Sequence, residues 1–383
     1  MIILTLGNKI YYQKTLKSQG VLSLIMGLFD DILHADETLF KNPVALDFDY
    51  IPKRIPFREN EQRIIVNNIK PLFLKRNGRN VFIYGSPGIG KTVAVKKVLE
   101  ELEEKTDEIV PIYVNCWQKN TSYKIFLEIC NQLDYKFTHN KNSEELFGVI
   151  KKILNQKAAV FVFDEIDRAE DVDFLYSLLE EIYLKVIILI TNFQETIANF
   201  DSRIKSRLLP EIVEFKPYSL RETFEILRER AEYAFYPGVI SDEILQKIAE
   251  IAYKVKDVRT GLFLMRESGN FAEARSSRRI EVVDFKKAAE KLSEFSIKSK
   301  ESLSEDEKLI FEIIKEMPES KIGDLYKEYV KRGGKGVYKT FQRKINKLEK
   351  NNFITVDKIE GGKEGKTSII KANEVDKKLT DFR

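Results

Sequence analysis

The sequence predicts an α/β protein in three parts: a parallel sheet covered by helices on both faces, a small all-helical domain, and a C-terminal winged helix-turn-helix. Three observations carry that reading. Between 26 and 216, short apolar runs alternate with longer amphipathic stretches, the pattern of parallel strands joined by helical crossovers. Between 217 and 292 no convincing strand occurs, and apolar residues recur three and four apart. From 307 onward the order is helix, helix, helix and two short strands around a Gly-rich tip. A chain of 383 residues has room for such domains, each with its own core.

Residues 1–25 read as an N-terminal extension, with Met26 as the expected translation start. VLSLIMGLF (Val21 to Phe29) follows Lys14 and Lys17 as a signal peptide would, yet runs into Asp30-Asp31 without a small-residue cleavage site. No apolar run approaches the ~20 residues needed to span a bilayer, and no membrane partner is expected. The strand candidates are Val81 to Tyr84, Ile109 to Val114, Ala158 to Phe163 and Val186 to Thr191. In the helical domain, SLRETFEILRERAEYAF and SDEILQKIAEIAYKV each open on Ser followed by acidic residues, as capped helices do. The polar stretch SEFSIKSKESLSED, 293–306, reads as a linker to the winged helix at 307–383. Cys116 and Cys130 have no CxxC and no nearby histidine pair, which points away from a disulfide framework or zinc site and toward a reducing cytosol.

The strongest chemical signal is GSPGIGKT, set between the first strand and a helix. Gly85, Gly88 and Gly90, with Ile89 between the last two, let backbone N–H groups surround phosphates; Lys91 supplies a cation, and Thr92 a hydroxyl for Mg²⁺. VFVFDEID follows about seventy residues on. There Asp164 is placed to hold the hydration shell of Mg²⁺, and Glu165 to polarise an attacking water. The pair of motifs implies ATP or ADP as ligand and a slow ATPase activity. VIILIT then ends at Thr191-Asn192, and Asn192 resembles the sensor position of the AAA+ ATPases. DSRIKSRLLPEIVEF resembles the AAA+ segment bearing an arginine finger, with Arg207 the better match and Arg203 second; two ordinary surface arginines are the alternative. In KDVRTGL, Arg259 matches a second AAA+ sensor reaching the γ-phosphate from the lid, against the alternative of an ordinary helical arginine.

Several stretches together resemble the archaeal family of origin-recognition and cell-division-control replication initiators. DFDYIPKRIPFRENEQ is similar to that family's segment ahead of its first helix, with Pro56 and Arg58 matching and the loop expected to cradle adenine. FKPYSLRETFEILRERAEYAF looks like its entry into the lid, where the resemblance implies nucleotide contacts from Tyr218 and Arg230. NCWQKNTSYKIFLEICNQLD, with the helix from Ser143, occupies the place of the initiator-specific helical insertion. The resemblance implies an AAA+ base at 26–216, a lid at 217–292 and a DNA-binding winged helix. It also implies double-stranded origin DNA as partner, beside a sibling initiator and the replicative helicase.

The net charge of +4 is small, but its distribution is not even. Between Lys321 and Lys371 stand fourteen basic residues against six acidic ones. Val337, Phe341, Ile345 and Leu348 recur at helical spacing and are expected to face the core. Lys339, Gln342, Arg343, Asn346 and Lys350 then face outward, where Gln, Arg and Asn suit base edges and Lys suits phosphates. GGKEGKT, with Lys363 and Lys366, reads as the wing. A solvated basic helix, or a winged helix used for protein contacts, are the alternatives.

The leading reading is thus an ATP-dependent DNA-binding switch at replication origins, located in the cytoplasm with the nucleoid. A clamp-loader-like ATPase is the alternative from the motor class, and a P-loop signalling ATPase acting on transcription the alternative from the regulator class.

Overall fold

A computed structural model describes residues 38–301, 303–350, 353–359 and 367–372. The elements all belong to the unit Phe40–Arg383. The expected extension and the expected start at Met26 lie outside the described residues.

The base contains α1 (Glu59–Ile69), β1 (Val81–Tyr84), α2 (Lys91–Lys105), β2 (Ile109–Asn115), α3 (Ser122–Gln132), α4 (Ser143–Leu154) and β3 (Ala158–Asp164). It continues with α5 (Asp173–Glu181), β4 (Lys185–Ile190), α6 (Ser202–Leu208) and β5 (Glu211–Glu214). The five strands are parallel in the order β2-β3-β4-β1-β5. β3 is buried along its whole length because both of its faces are covered. Phe161 and Phe163 enter a core with α3, α4 and α5, whereas Val160 and Val162 enter a second core with α1 and α2. β4 is central and is flanked by β3 and β1, so the loops after β1, β3 and β4 emerge side by side at the carboxyl edge, where open α/β sheets hold ligands. The expected strands are all present; β5 was not foreseen. Its sequence, Glu-Ile-Val-Glu, is an edge segment burying only Val213, too short and too acidic to stand out.

The lid follows as α7 (Leu220–Ala234), α8 (Asp242–Val255), α9 (Val258–Ala274) and α10 (Val282–Glu301). The expected serine caps form: Ser219 makes a capping box with Glu222, and Ser241 accepts from the Ile244 amide. Two details depart from the sequence reading. Residues ahead of α1 dock onto the lid: Phe40 bridges Phe235, with their rings 5.0 Å apart, and the 3-10 turn Pro43–Leu46 packs on α7 and α9. The stretch 293–306 is also largely helix, since α10 continues to Glu301. It contains no Gly or Pro to stop a helix, and its Lys and Glu residues favour one. Its Ser304 is the N-cap of the next helix, in a capping box with Glu307.

The C-terminal domain comprises α11 (Glu305–Glu316), β6 (Ser320–Lys321), α12 (Ile322–Lys331), α13 (Tyr338–Lys350), β7 (Ile354–Ile359) and β8 (Thr367–Ala372). The antiparallel sheet runs β6-β8-β7, the arrangement of a winged helix-turn-helix. Phe341, Ile345 and Leu348 are buried against Phe311, Leu325 and Tyr329. Val337, expected in the core, instead precedes α13 and is 67% exposed. At that end the ring of Tyr338, edge-on to Tyr326 at 5.0 Å, makes the packing contact instead. No helix among the described residues is long and apolar enough to cross a membrane.

Candidate functional site

A cleft of about 530 Å³ opens between base and lid at the carboxyl edge of the sheet. Its lining includes Gly88, Gly90, Lys91 and Thr92 after β1, Asp164 and Glu165 after β3, Thr191 and Asn192 after β4, and Tyr218, Arg230 and Arg259 from the lid side. Phe48, Pro52, Ile55 and Pro56, from the segment ahead of α1, close one end. Residues spread over more than two hundred positions thus meet in one cavity.

The loop before α2 is shaped by its glycines. Gly90, with φ +87°, is the N-cap of α2 and offers no side-chain cap, leaving the first amides of the helix available to an anion. Gly88, with φ +72°, lies so close to the lid that a β-carbon there would come within 1.9 Å of an Asp257 carboxylate oxygen. Lys91 Nζ donates to the carbonyls of Gly85 (2.7 Å) and Ser86 (2.8 Å) and to Asn192 Oδ1 (2.9 Å). Burial lowers its ammonium to about 8.

Thr92 Oγ1 donates to Asp164 Oδ2 at 2.6 Å, and Tyr113 Oη donates to the same oxygen at 2.8 Å. The Glu165 amide donates to Asp164 Oδ1 at 2.8 Å. Both carboxylate oxygens of Asp164 are therefore held in place. Glu165 itself sits at φ +54°, a left-handed conformation uncommon for a residue with a side chain. Burial, then the neighbouring Asp164 and Asp167, push its carboxyl above the ordinary range, which strengthens it as a proton acceptor. Thr191 Oγ1 donates to Asp167 at 2.8 Å and so fixes the turn that presents Asn192.

Three expected nucleotide residues have more specific positions than motif matching gave. Arg58 is buried and does not line the cleft. Its guanidinium donates to Ile89 O (3.1 Å), Lys216 O (2.6 Å) and Tyr218 Oη (3.0 Å), pairs with Glu61, and stacks on Tyr218 at 4.0 Å. It ties the phosphate-type loop to the base–lid junction. Arg230 lines the cleft while donating to Ala45 O (3.1 Å) and Tyr50 O (3.2 Å), so it also pins the segment ahead of α1. Arg259 lines the cleft in a two-pronged pair with Asp257, with Nη2 at 2.9 Å from Oδ2 and Nε at 3.1 Å from Oδ1.

Arg207 and Arg203 do not line the cleft of their own chain. Arg207 pairs with Glu180 at 2.5 Å and lies over the Tyr176 ring; Arg203 pairs with Asp201 at 3.0 Å. Sequence reasoning missed Tyr113 and Asp257. Tyr113 carries no signal beyond being a strand aromatic, and Asp257 reads only as a helix cap.

The donors suit a nucleoside polyphosphate with a hard divalent cation. Two lysines (Lys91, Lys96) and three arginines (Arg54, Arg230, Arg259) line one cavity with the amides of the loop, and the Thr92 hydroxyl and Asp164 carboxylate are oxygens of the kind that Mg²⁺ takes.

On the C-terminal domain, Lys339, Gln342, Arg343 and Asn346 of α13 are exposed, and among the described residues their side chains form no hydrogen bond or ion pair. Other bases of the region are engaged: Lys344 pairs with Asp306, Lys347 with Glu307 at 2.7 Å and Arg332 with Glu316 at 2.7 Å. The acids of α11 thus offset part of the basic surplus and leave one face of α13 available. The side chain of Lys350, and Lys363 and Lys366, lie outside the described residues.

A parallel sheet in this order, with the phosphate-type loop after β1, an Asp-Glu pair after β3, Asn192 after β4 and a helical lid, defines a AAA+ P-loop protein. An AAA domain model matches residues 75–197, and a Cdc6 AAA+ ATPase-type lid domain model matches 224–290. ORC1-type DNA replication protein 2 of Methanosarcina acetivorans is 34% identical over 90% of this chain and 95% of its own length. ORC1-type DNA replication protein 1 of Sulfurisphaera tokodaii is 32% identical over 90% and 93%. The solved structure of the Aeropyrum pernix ORC1 protein in complex with DNA covers 87% of this chain and 94% of its own, at 25% identity and TM-score 0.64. The Cdc6p structure from Pyrobaculum aerophilum shares the fold, with TM-score 0.60 at 20% identity over 88% and 95%. The chain belongs to the ORC1-type DNA replication protein family.

Proposed function

We propose that the chain is an ATP-dependent DNA-binding switch that recognises replication origins and helps to initiate DNA replication. The observation that carries this reading is the single cleft in which the base presents Lys91, Thr92, Asp164, Glu165 and Asn192, and the lid presents Arg230 and Arg259. A ligand touching both walls stabilises one base–lid angle over others by its differential contacts.

In this account the α2 amides and Lys91 bind the β- and γ-phosphates, while Pro56 and its loop, with Tyr218, enclose the base. Thr92 and Asp164 hold Mg²⁺, which when bound supplies charge stabilisation on the phosphate oxygens. Glu165 accepts the proton of the attacking water, and Asn192, hydrogen-bonded to Lys91, orients it. Hydrolysis is slow and resets the switch. Arg207 acts on the nucleotide of a neighbouring chain, in keeping with its place outside its own cleft. Gln342, Arg343 and Asn346 of α13 read base edges of double-stranded DNA in the major groove and Lys339 contacts phosphate, with wing lysines Lys363 and Lys366 entering a minor groove. The relative from Aeropyrum pernix was solved bound to DNA. A sibling initiator beside it and placement of the replicative helicase complete the proposal.

Genome-wide footprinting of the native protein tests it. Protected sites clustered at replication origins are the expected result; protection confined to promoters would replace this reading with that of a transcription regulator.

A further inference from the structure

Asp257 stands in KDVRTGL with no role of its own in the sequence reading, yet it touches the base: a β-carbon on Gly88 would come within 1.9 Å of its carboxylate. It is the N-cap of α9, accepting from the Arg259 amide at 2.9 Å. The same carboxylate holds the Arg259 guanidinium through both oxygens, with contacts at 2.9, 3.1 and 3.2 Å. The next amide, Val258 N, donates to Gly88 O at 3.2 Å. The carboxylate therefore lies on the glycine whose loop faces phosphates, in the space that a β-carbon at Gly88 would enter. A cation that lines the cleft is neutralised there by an anion from two residues earlier in the chain.

We propose that Asp257 is a positioning residue that sets the discrimination between nucleoside triphosphate and diphosphate, by keeping Arg259 paired until a terminal phosphate replaces it. The inference rests on the nucleotide reading of the cleft given above. Arg259 can bond a γ-phosphate strongly only by giving up or sharing its bonds to Asp257, so part of the γ-phosphate contact is spent on that exchange. A diphosphate, which does not extend to Arg259, leaves the pair intact. The pair is half-exposed on the arginine side, which allows the exchange without burying an unpaired charge.

The test is calorimetric titration of the full chain with Mg²⁺ and either a non-hydrolysable ATP analogue or ADP. Asp257→Asn and Asp257→Ser both keep a side chain that caps a helix, so loss of the cap does not confound them. Each variant is expected to raise the ratio of triphosphate to diphosphate affinity about tenfold, the size of one charge-assisted hydrogen bond. The rise is expected to vanish in the Arg259→Ala background. A ratio unchanged in both variants, or triphosphate affinity that falls, would overturn the proposal; a fall would mean that Asp257 orients Arg259 toward phosphate. Wild-type protein that binds neither nucleotide would instead sink the nucleotide reading itself, and the inference with it.

Discussion

The cleft and the outer face of α13 both gather polar and charged side chains, but under opposite physical regimes. In the cleft Lys91 and Asp164 are buried, and each has several fixed protein partners. On α13, Lys339, Gln342, Arg343 and Asn346 stand in solvent with no side-chain partner among the described residues. The cleft is preorganised: its groups are already aimed, so a ligand there pays little ordering entropy and its contacts report on fine geometry. The α13 face is adaptable: its groups order only on contact and act first through charge, as phosphate-seeking surfaces do. The difference suits a switch in which a rigid site senses a small ligand and a soft surface acts on a polymer.

Breaking the rigid side gives the largest effects. Arg58→Met removes a buried guanidinium that joins Ile89, Lys216, Tyr218 and Glu61, leaving acceptors unsatisfied. A loss of about 3 kcal/mol in unfolding free energy is expected by urea denaturation, and nucleotide affinity should fall because the loop loses its anchor. A stability change below about 1 kcal/mol would show the clamp to be incidental.

Lys91→Met should weaken ATP binding by about 1.5–3 kcal/mol, or ten- to hundredfold, with little effect on DNA binding measured without nucleotide. The pH dependence sharpens this contrast. Lys91 is lowered to about 8 by burial and binds phosphate as the cation, so wild-type affinity should be constant below pH 8 and fall as pH rises beyond it. The fall should be absent in Lys91→Met.

The soft side yields smaller, salt-sensitive effects. Arg343→Ala is expected to cost about 1–3 kcal/mol of discrimination between origin and non-origin DNA, whereas Lys339→Ala should lower affinity uniformly and reduce the salt slope by about 1. Equal behaviour of the two variants would mean that α13 binds DNA by charge alone.

The two regions also differ in how far the sequence revealed them. GSPGIGKT, the Asp164-Glu165 pair and Asn192 follow strict local rules of strand, turn and helix, so their meeting was legible before the fold was known. What was not legible was tertiary: Arg58 bonding across the base–lid junction, Asp257 reaching Gly88, and Phe40 docking on the lid all depend on contacts between distant segments. On α13 the periodicity placed Phe341, Ile345 and Leu348 correctly but carried the helix one residue too far, so Val337 emerged exposed. The stretch 293–306 was polar enough to resemble a spacer, yet polar residues of high helix propensity extend a helix equally well. β5 escaped because an edge strand of four residues buries too little to leave a pattern.

The central claim is that nucleotide in the cleft governs how the winged helix engages DNA. DNA affinity and footprint length, measured at one salt concentration with a non-hydrolysable ATP analogue and with ADP, in wild type and Arg259→Ala, test it most directly. The two nucleotides are expected to give different affinities or footprints in the wild type and the same in Arg259→Ala. Identical DNA binding by wild-type protein with either nucleotide, both shown to be bound, would contradict it.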